Sequence, residues 1–255
     1  MQRRPFHKKP RSHAPPRTKP PSIDYLREIL EGSGLKLHRD QLEHLWAYHR
    51  LLRDRNQDRD LTRIIEFRAM VVKHYVDCLI IGKYTTLPSP LLDIGTGAGF
   101  PGIPLKIRYP HLKITLAEPR PNRILFLHEV RKALHLKHLE IFDHKVVSRS
   151  FQTPMAGIIS RALEVIPKTI LRTSACLDRG GILIFMKGPN VDEELRDVER
   201  DFSAVVRLRE DHPYVLPHSS HQRRLLIYEK LIPREVPAKE VPESTFESGV
   251  TNLAP

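Results

Sequence analysis

Residues 91–105 read Leu-Leu-Asp-Ile-Gly-Thr-Gly-Ala-Gly-Phe-Pro-Gly-Ile-Pro-Leu. The stretch begins with a short, mostly apolar run, as expected for a buried parallel strand. Three glycines at alternate positions follow, and because glycine lacks a Cβ, a ligand can approach the main chain closely there. Pro101 and Pro104 suit the first turn of a helix, where backbone N–H groups have no intrahelical partner. The stretch therefore predicts a strand, a glycine loop and a helix N-terminus, which together form a cradle for a nucleotide-type cofactor.

One interpretation of the glycines is a dinucleotide site. Gly97, Gly99 and Gly102 match the spacing of the dinucleotide fingerprint, and Glu118 follows at about the distance that this fingerprint requires. Counted from Gly95, however, which is the first glycine after the strand, the third fingerprint position is neither Gly nor Ala. A nicotinamide or flavin site stays open as an alternative, as does a turn that binds no ligand.

The other interpretation places an acid at the end of the strand and three glycines after it. Asp93, Gly95, Gly97 and Gly99 fit this pattern without a shift. A carboxylate at that position would repel a pyrophosphate and favour a cationic ligand, such as the amino group of a methionine moiety or a nearby sulfonium. Class I methyltransferases hold S-adenosylmethionine in this way, so the pattern favours S-adenosylmethionine as the cofactor.

Residues 93–105 resemble the signature of the small-subunit ribosomal RNA guanine methyltransferase G family, also called glucose-inhibited division protein B. The resemblance spans roughly residues 24–231 and implies an S-adenosylmethionine-dependent methyltransferase that forms 7-methylguanosine in small-subunit ribosomal RNA. Four further segments resemble the same family in the same order: Lys73–Leu79, Arg123–Leu127, Ser160–Ala162 and Lys187–Gly188.

The charge of the chain agrees with a polyanionic partner. The 255 residues carry a formal net charge of +12. Residues 1–21 contain seven Lys or Arg and no acid, whereas residues 233–255 contain two bases and four Glu. A basic body with a more basic arm favours small-subunit ribosomal RNA or the small ribosomal subunit as the partner.

Composition and periodicity divide the chain into three parts. Residues 1–21 contain six prolines and predict a disordered basic arm, and residues 233–255 predict a disordered tail. The methyltransferase domain is expected at residues 22–232. Within it, helical spacing predicts three helices that form an N-terminal helical lobe over residues 22–82, followed by a Rossmann-like core over residues 88–232.

Strand and helix patterns alternate from residue 91 onward. This alternation predicts a doubly wound, mostly parallel sheet with helices on both faces, the α/β fold of class I methyltransferases. Ligands in such folds sit at the carboxyl ends of the strands. We therefore expect the functional residues just after Ile94, Ala117, Phe142, Ile159 and Met186.

The cofactor side of this edge begins with Glu118, whose carboxylate can accept hydrogen bonds from both ribose hydroxyls of an adenosine. After the third strand the family usually has an acid near the adenine. This chain has Val146 and Val147 there, whose backbone N–H groups are expected at the ring edge, with Asp143 as an alternative acid. The predicted cofactor-binding residues are Asp93, Gly95, Gly97, Gly99, Phe100, Glu118, Val146, Val147 and Arg161.

Cations are expected on the substrate side. Arg161 and Lys187 follow the fourth and fifth strands and predict a basic mouth opposite the cofactor, because arginine can hold a phosphate or a guanine oxygen bidentately. Arg123 is expected to contact cofactor or RNA, or to be an ordinary surface arginine. No catalytic base is expected, since nitrogen 7 of guanine carries no hydrogen.

The cysteines and the apolar segments bear on location. Cys78 and Cys176 lie in apolar contexts and predict buried free thiols of a cytosolic protein, so a cytoplasmic location is expected. The longest apolar-rich stretch, residues 64–81, contains five charged or histidine residues and predicts a packed helix, so no membrane association is expected.

Metal binding and other functions are the remaining alternatives. The pairs His135/His138 and His218/His221 lack a third ligand in sequence, so no metal is expected. An RNA-binding protein that merely retains a methyltransferase fold is disfavoured by the intact acid and glycines. A methyltransferase for another substrate, such as a small molecule or a protein, is disfavoured by the basic charge.

Overall fold

The computed structural model describes residues 19–148 and 150–234. The predicted basic arm and tail therefore lie almost entirely outside the described residues. Lys19, at the end of the predicted arm, pairs with Glu28 at an Nζ–Oε2 distance of 2.6 Å.

The helical lobe consists of three helical segments, as predicted. Helix α1 (Ile23–Gly32) begins where the Ser22 hydroxyl accepts a hydrogen bond from the Tyr25 N–H, which satisfies one of the free donors of the first turn. Helix α2 (Arg39–Arg59) follows. The third segment is continuous but changes its winding: α3 (Phe67–Met70), a π-helical turn (Val71–Val76), α4 (Asp77–Leu79) and a 3-10 turn (Ile80–Lys83).

In the described part of the chain, seven strands form one sheet in the order β3-β2-β1-β4-β5-β7-β6. Strands β1 to β5 pair in parallel, and β7 is antiparallel to both β5 and β6. This confirms the predicted doubly wound α/β fold. The strands are β1 (Leu91–Ile94), β2 (Ile114–Ala117), β3 (Leu139–Phe142), β4 (Met155–Arg161), β5 (Leu177–Lys187), β6 (Val206–Val215) and β7 (Gln222–Lys230), and the helices between them are α5 (Gly102–Arg108), α6 (Pro121–Ala133), α7 (Ile166–Thr173) and α8 (Asp192–Phe202).

Both faces of the sheet are buried. Ile159 and Ile184 belong to a large apolar core that also contains the lobe, α5 and α6. Ile158 and Leu183, one residue earlier in the same strands, belong to a second core with α7 and α8. Side chains alternate between the faces along a strand, so neighbouring residues enter different cores.

Within the described ranges, there is no helix with the length and apolar character needed to cross a membrane.

The direction of chain progression across the sheet reverses between β1 and β4. Ile94, at the end of β1, is in register with Ala117 of β2 and Ser160 of β4. Gly95, Glu118 and Arg161 therefore leave the sheet side by side, at the switch point where ligands bind in open α/β sheets.

Candidate functional site

Asp93 shapes the glycine loop from inside. Its side chain is fully buried, and Oδ2 accepts hydrogen bonds from the Thr96 hydroxyl at 2.6 Å and from the Gly102 N–H at 2.8 Å. A Cβ at Gly102 would lie 2.2 Å from Leu116 Cδ2, so only glycine allows α5 to approach β2 this closely. The carboxylate thus fixes the loop to the start of α5.

The second carboxylate oxygen of Asp93, Oδ1, is buried without a hydrogen-bond partner. Burial raises the pKa of Asp93 to about 7, although the bonds from Thr96 and Gly102 oppose the shift. A buried polar atom without a partner is rare in folded proteins and marks a strained or ligand-related position. Direct contact between Asp93 and a cofactor stays a prediction.

Glu118 joins the end of β2 to the glycine loop. Its side chain is buried, Oε2 accepts from the Gly97 N–H at 3.0 Å, and Oε1 accepts from the Arg120 N–H at 3.0 Å. Arg123 of α6 donates to the same Oε2 at 3.5 Å and keeps about a quarter of its side chain exposed. The structure therefore brings Glu118 and Arg123 together at the loop.

Arg161 lies on the other side of the loop, enclosed by a helix and an aromatic ring. Its guanidinium donates to His74 Nδ1 at 2.9 Å and to Cys78 Sγ at 3.3 Å, and NH1 lies 3.9 Å from Asp77 Oδ2. The guanidinium carbon is 5.5 Å from the centre of the Phe100 ring, within the range of a cation–π contact. Phe100 and Arg161 thus form one wall.

The hydrogen bonds of His74 determine its tautomer. Arginine can only donate, so Nδ1 must be the acceptor and Nε2 must carry the hydrogen, which it donates to the Thr62 hydroxyl at 2.9 Å. Burial, reinforced by the charge of Arg161, lowers the pKa of His74 to about 3. The imidazole is therefore neutral at neutral pH, and its one lone pair is already used.

These side chains surround a cavity of about 170 Å³ next to the glycine loop. Leu163 covers the loop, since a Cβ at Gly95 would lie 2.4 Å from Leu163 Cδ1. The residues that line the cavity are Leu61, Thr62, His74, Gly95, Thr96, Gly97, Ala98, Phe100, Arg123, Arg161 and Ala162.

The lobe takes part in the site. The hydroxyl of Tyr48, a fully buried residue of α2, donates to the carbonyl of Ala98 in the glycine loop at 2.6 Å. Leu61 and Thr62, which follow α2, line the cavity. The glycine loop is thus supported by the lobe as well as by the sheet.

Lys187 does not join Arg161, so the predicted basic mouth is wrong in this respect. Arg161 is in register with Met186, and the next residue of β5 points to the opposite face of the sheet. There Lys187 Nζ lies 2.8 Å from Glu194 Oε2 and donates to the Glu164 carbonyl at 3.1 Å.

The structure contradicts the predicted adenine contact for Val147, whereas the contact from the Val146 N–H stays a prediction. Val146 is buried in the second core, and its carbonyl accepts from Arg172 at 2.7 Å. The Val147 N–H already donates to the Ser150 hydroxyl at 2.8 Å. The alternative acid, Asp143, is largely exposed and lies 2.6 Å from a ring nitrogen of the neighbouring histidine.

Both cysteines are buried free thiols, as predicted. Burial raises the pKa of Cys78 to about 12 and that of Cys176 to about 11, so neither is a thiolate nucleophile at neutral pH. In residues 19–148 and 150–234, no three His, Cys, Asp or Glu side chains are placed to hold a metal ion.

Sequence reasoning missed His74, Asp77 and Tyr48. His74 and Asp77 lie in the segment Lys73–Leu79, which carried the family resemblance without an assigned chemistry. A usable signal was present, because polar residues buried on an apolar helix need partners. Tyr48 gave no such signal in the sequence.

A larger groove of about 440 Å³ lies away from this site. It is lined by residues of α2 and α5 and by the loops before β2 and β3, including Lys106 and His138. These loops precede β2 and β3 and lie at the amino ends of the parallel strands, opposite to the end where ligands bind in such sheets. None of the predicted site residues lines it.

Comparison with known proteins shows which family the chain is similar to. Residues 41–224 match the sequence model of the family described as rRNA small subunit methyltransferase G. The chain is 38% identical over 233 residues to ribosomal RNA small subunit methyltransferase G 2 of Bdellovibrio bacteriovorus, covering 90% of each chain.

Two further proteins illustrate the range of similarity. A protein of the same name from Syntrophobacter fumaroxidans is 43% identical over 213 residues, which is 84% of this chain but only 43% of that relative. The chain thus spans less than half the length of that protein. Among solved structures, a tRNA (m1A58) methyltransferase from Aquifex aeolicus is similar with a TM-score of 0.45 and 13% identity, over 61% of this chain and 68% of that one.

Proposed function

The chain belongs to the rRNA small subunit methyltransferase G family, and from this we propose that its product is 7-methylguanosine in small-subunit ribosomal RNA. It is an S-adenosylmethionine-dependent rRNA methyltransferase. The observation that carries the proposal for the site is the glycine loop at the switch point, with Glu118 on one side and Arg161 on the other.

The residues of the loop fit the cofactor. Glu118 keeps lone pairs beyond those used by Gly97 and Arg120, so its carboxylate can accept from ribose hydroxyls. Gly95 has a φ of +68°, a left-handed backbone conformation that favours glycine. We propose that the loop and Glu118 hold S-adenosylmethionine, which supplies an electrophilic methyl group when bound.

Arg161 is proposed to hold the target base. Arginine is the commonest partner of the guanine edge that presents oxygen 6 and nitrogen 7. If Arg161 donates to oxygen 6, nitrogen 7 stays free, and the arginine orients the base while its ring becomes cationic. Its role is then positioning, which can supply a large part of a rate enhancement.

No residue has to remove a proton in this reaction, since nitrogen 7 carries none. Among the described residues, His74 is the imidazole that lines the cavity, and its lone pair is used by Arg161. This arrangement supports transfer without a general base.

The experiment that tests the proposed function is labelled methyl transfer. Small subunits that lack endogenous methylation, and naked RNA in parallel, are incubated with labelled S-adenosylmethionine, and the RNA is digested to nucleosides. We expect 7-methylguanosine as the labelled product. In the cell, we propose that the reaction takes place in the cytoplasm, where ribosomal RNA is processed. Another labelled nucleoside, or no label in RNA, would contradict the proposal.

Replacing Glu118 with alanine is expected to weaken S-adenosylmethionine binding by about 1–3 kcal/mol, because the ribose hydroxyls lose a desolvated acceptor. Calorimetry on the full chain measures the effect. Glu140→Ala, which removes an exposed carboxylate from β3, is the matched control and should bind like the wild type. Equal affinity of the two variants, or binding of NADH in place of S-adenosylmethionine, would exclude the assignment.

The basic arm is expected to add RNA affinity and no chemistry. Deleting residues 1–18 removes six Lys or Arg, so the slope of log affinity against log salt should become shallower by at most about 4, at about 0.7 per phosphate contact. The control is deletion of residues 236–255, which removes more acids than bases and should not make the slope shallower. An unchanged slope after the first deletion would show that the arm does not bind RNA.

A further inference from the structure

Three buried side chains of the segment Lys73–Leu79 meet a single guanidinium. His74, Asp77 and Cys78 are spaced i, i+3 and i+4, which places them on one face of a helix. All three are buried, and all three lie within 4 Å of Arg161. The π-helical turn ends at the residue before Asp77, and such turns are frequent at functional sites.

Asp77 also contacts the β6–β7 hairpin through its other carboxylate oxygen. Its Oδ1 lies 3.4 Å from Arg223 Nε and accepts from the Tyr214 hydroxyl at 3.3 Å. Tyr214 belongs to β6 and Arg223 to β7. One carboxylate is therefore within 4 Å of two guanidinium groups, Arg161 of β4 at Oδ2 and Arg223 of β7 at Oδ1.

The charges around Arg161 make Asp77 its ionised neighbour in this cluster. Burial raises the pKa of Asp77, while the neighbouring charges of Arg161 and Arg223 oppose that rise. His74 and Cys78 are neutral at neutral pH, as their shifted pKa values show. Among the described residues, Asp77 is thus the carboxylate within ion-pair distance of Arg161. A buried cation needs such a counterion and good hydrogen bonds to keep one orientation.

We propose that Asp77 is a positioning residue for methyl transfer, which orients Arg161 toward the cavity and connects it to the β6–β7 hairpin through Tyr214 and Arg223. Asp77 touches neither cofactor nor base in this scheme and acts only through Arg161. The inference rests on the proposed role of Arg161 within the proposed function.

A double-mutant cycle on the full chain tests this. The single-turnover rate of total labelled methyl transfer to small subunits is measured for Asp77→Asn, Arg161→Ala and the double variant. Misplacement of a reacting pair can reduce a rate about 100-fold, and we expect about a tenfold loss for Asp77→Asn. The double variant should be no slower than Arg161→Ala alone, because Asp77 has nothing left to orient.

Two outcomes would overturn the proposal. One is a wild-type rate for Asp77→Asn. The other is a full additional loss in the double variant, which indicates that Asp77 acts structurally and independently of Arg161. Since total transfer is counted, a wild type that methylates an atom other than nitrogen 7 would refute the proposed function without affecting this cycle.

A milder variant keeps the test decisive if Asp77→Asn does not fold. Tyr214→Phe removes the hydroxyl that donates to Asp77 but keeps the ring, which packs 5.3 Å from Tyr84. We expect a loss of a few-fold that disappears in the Arg161→Ala background. The matched control is Tyr228→Phe, in the same hairpin but packed against Phe185 in the other core, which should keep the wild-type rate. A Tyr214→Phe loss that persists without Arg161 would refute the proposal.

Discussion

Replacing Arg161 with alanine is expected to slow single-turnover methyl transfer about 100-fold at saturating RNA and cofactor. The reason is that Arg161 is the guanidinium at the end of β4 that we propose to hold the base in line. Arg161→Lys keeps the charge but cannot reproduce a planar fork that reaches His74, Cys78 and Asp77 together, so it should also be slow. A wild-type rate for the alanine variant would show that Arg161 does not hold the base during methyl transfer.

The rate of the wild type and of Arg161→Ala should be nearly flat from about pH 6 to 9, because no group in the step needs a pKa near the operating pH. His74 is already neutral in this range, since its pKa is lowered to about 3. Asp93, with a pKa of about 7, can change cofactor affinity with pH, so the cofactor must be saturating at each pH. A bell-shaped or steeply rising profile under these conditions would show that a titrating base takes part.

The second large effect concerns the stability of the fold. The pKa of Asp93 is about 7 in the folded chain and about 3.9 in the unfolded chain. The folded protein therefore loses about 4 kcal/mol of stability as the pH rises between these values. The sign follows because the folded state binds more protons than the unfolded state in this window. Asp93→Asn removes the titration and keeps an oxygen that can accept from Thr96 and Gly102.

The measurement is the free energy of unfolding in urea at about pH 4.5, 6 and 8 for the wild type and Asp93→Asn. Between about pH 4.5 and pH 8 the variant should gain about 3 kcal/mol on the wild type, and the difference should level off above about pH 7. His49 and His74, whose pKa values are lowered by burial, destabilise both proteins in acid and cancel in the difference. Asp58→Asn, at an exposed position of α2, is the control. A difference that stays constant with pH would contradict the raised pKa of Asp93.

Local sequence patterns predicted the sheet and the glycine loop because strands, glycines and helix starts leave short-range signals. They also placed Lys187 correctly at a strand end, but not on the correct face. The face depends on the register of β5 against β4, in which Met186 rather than Lys187 pairs with Arg161. Register is a tertiary property, and a shift of one residue reverses the face.

The contacts of Arg161 were beyond local patterns for another reason. His74 and Cys78 are 87 and 83 residues away from it in the chain. The sequence showed that the segment resembled the family, but only packing of the lobe on the sheet showed what its polar residues touch. The prediction for Val147 was wrong for a short-range reason, because the Ser150 hydroxyl, three residues later, accepts the hydrogen bond of the Val147 N–H.

The hydrogen bond from Tyr48 to Ala98 has a consequence for how the chain can be divided. The lobe and one face of the sheet share a single continuous core, from Leu26 in α1 to Ile227 in β7. Cutting between residues 83 and 91 would expose that core on both fragments and remove a support of the glycine loop. We therefore expect the lobe and the sheet to unfold together as one cooperative unit, and neither to fold when transplanted alone.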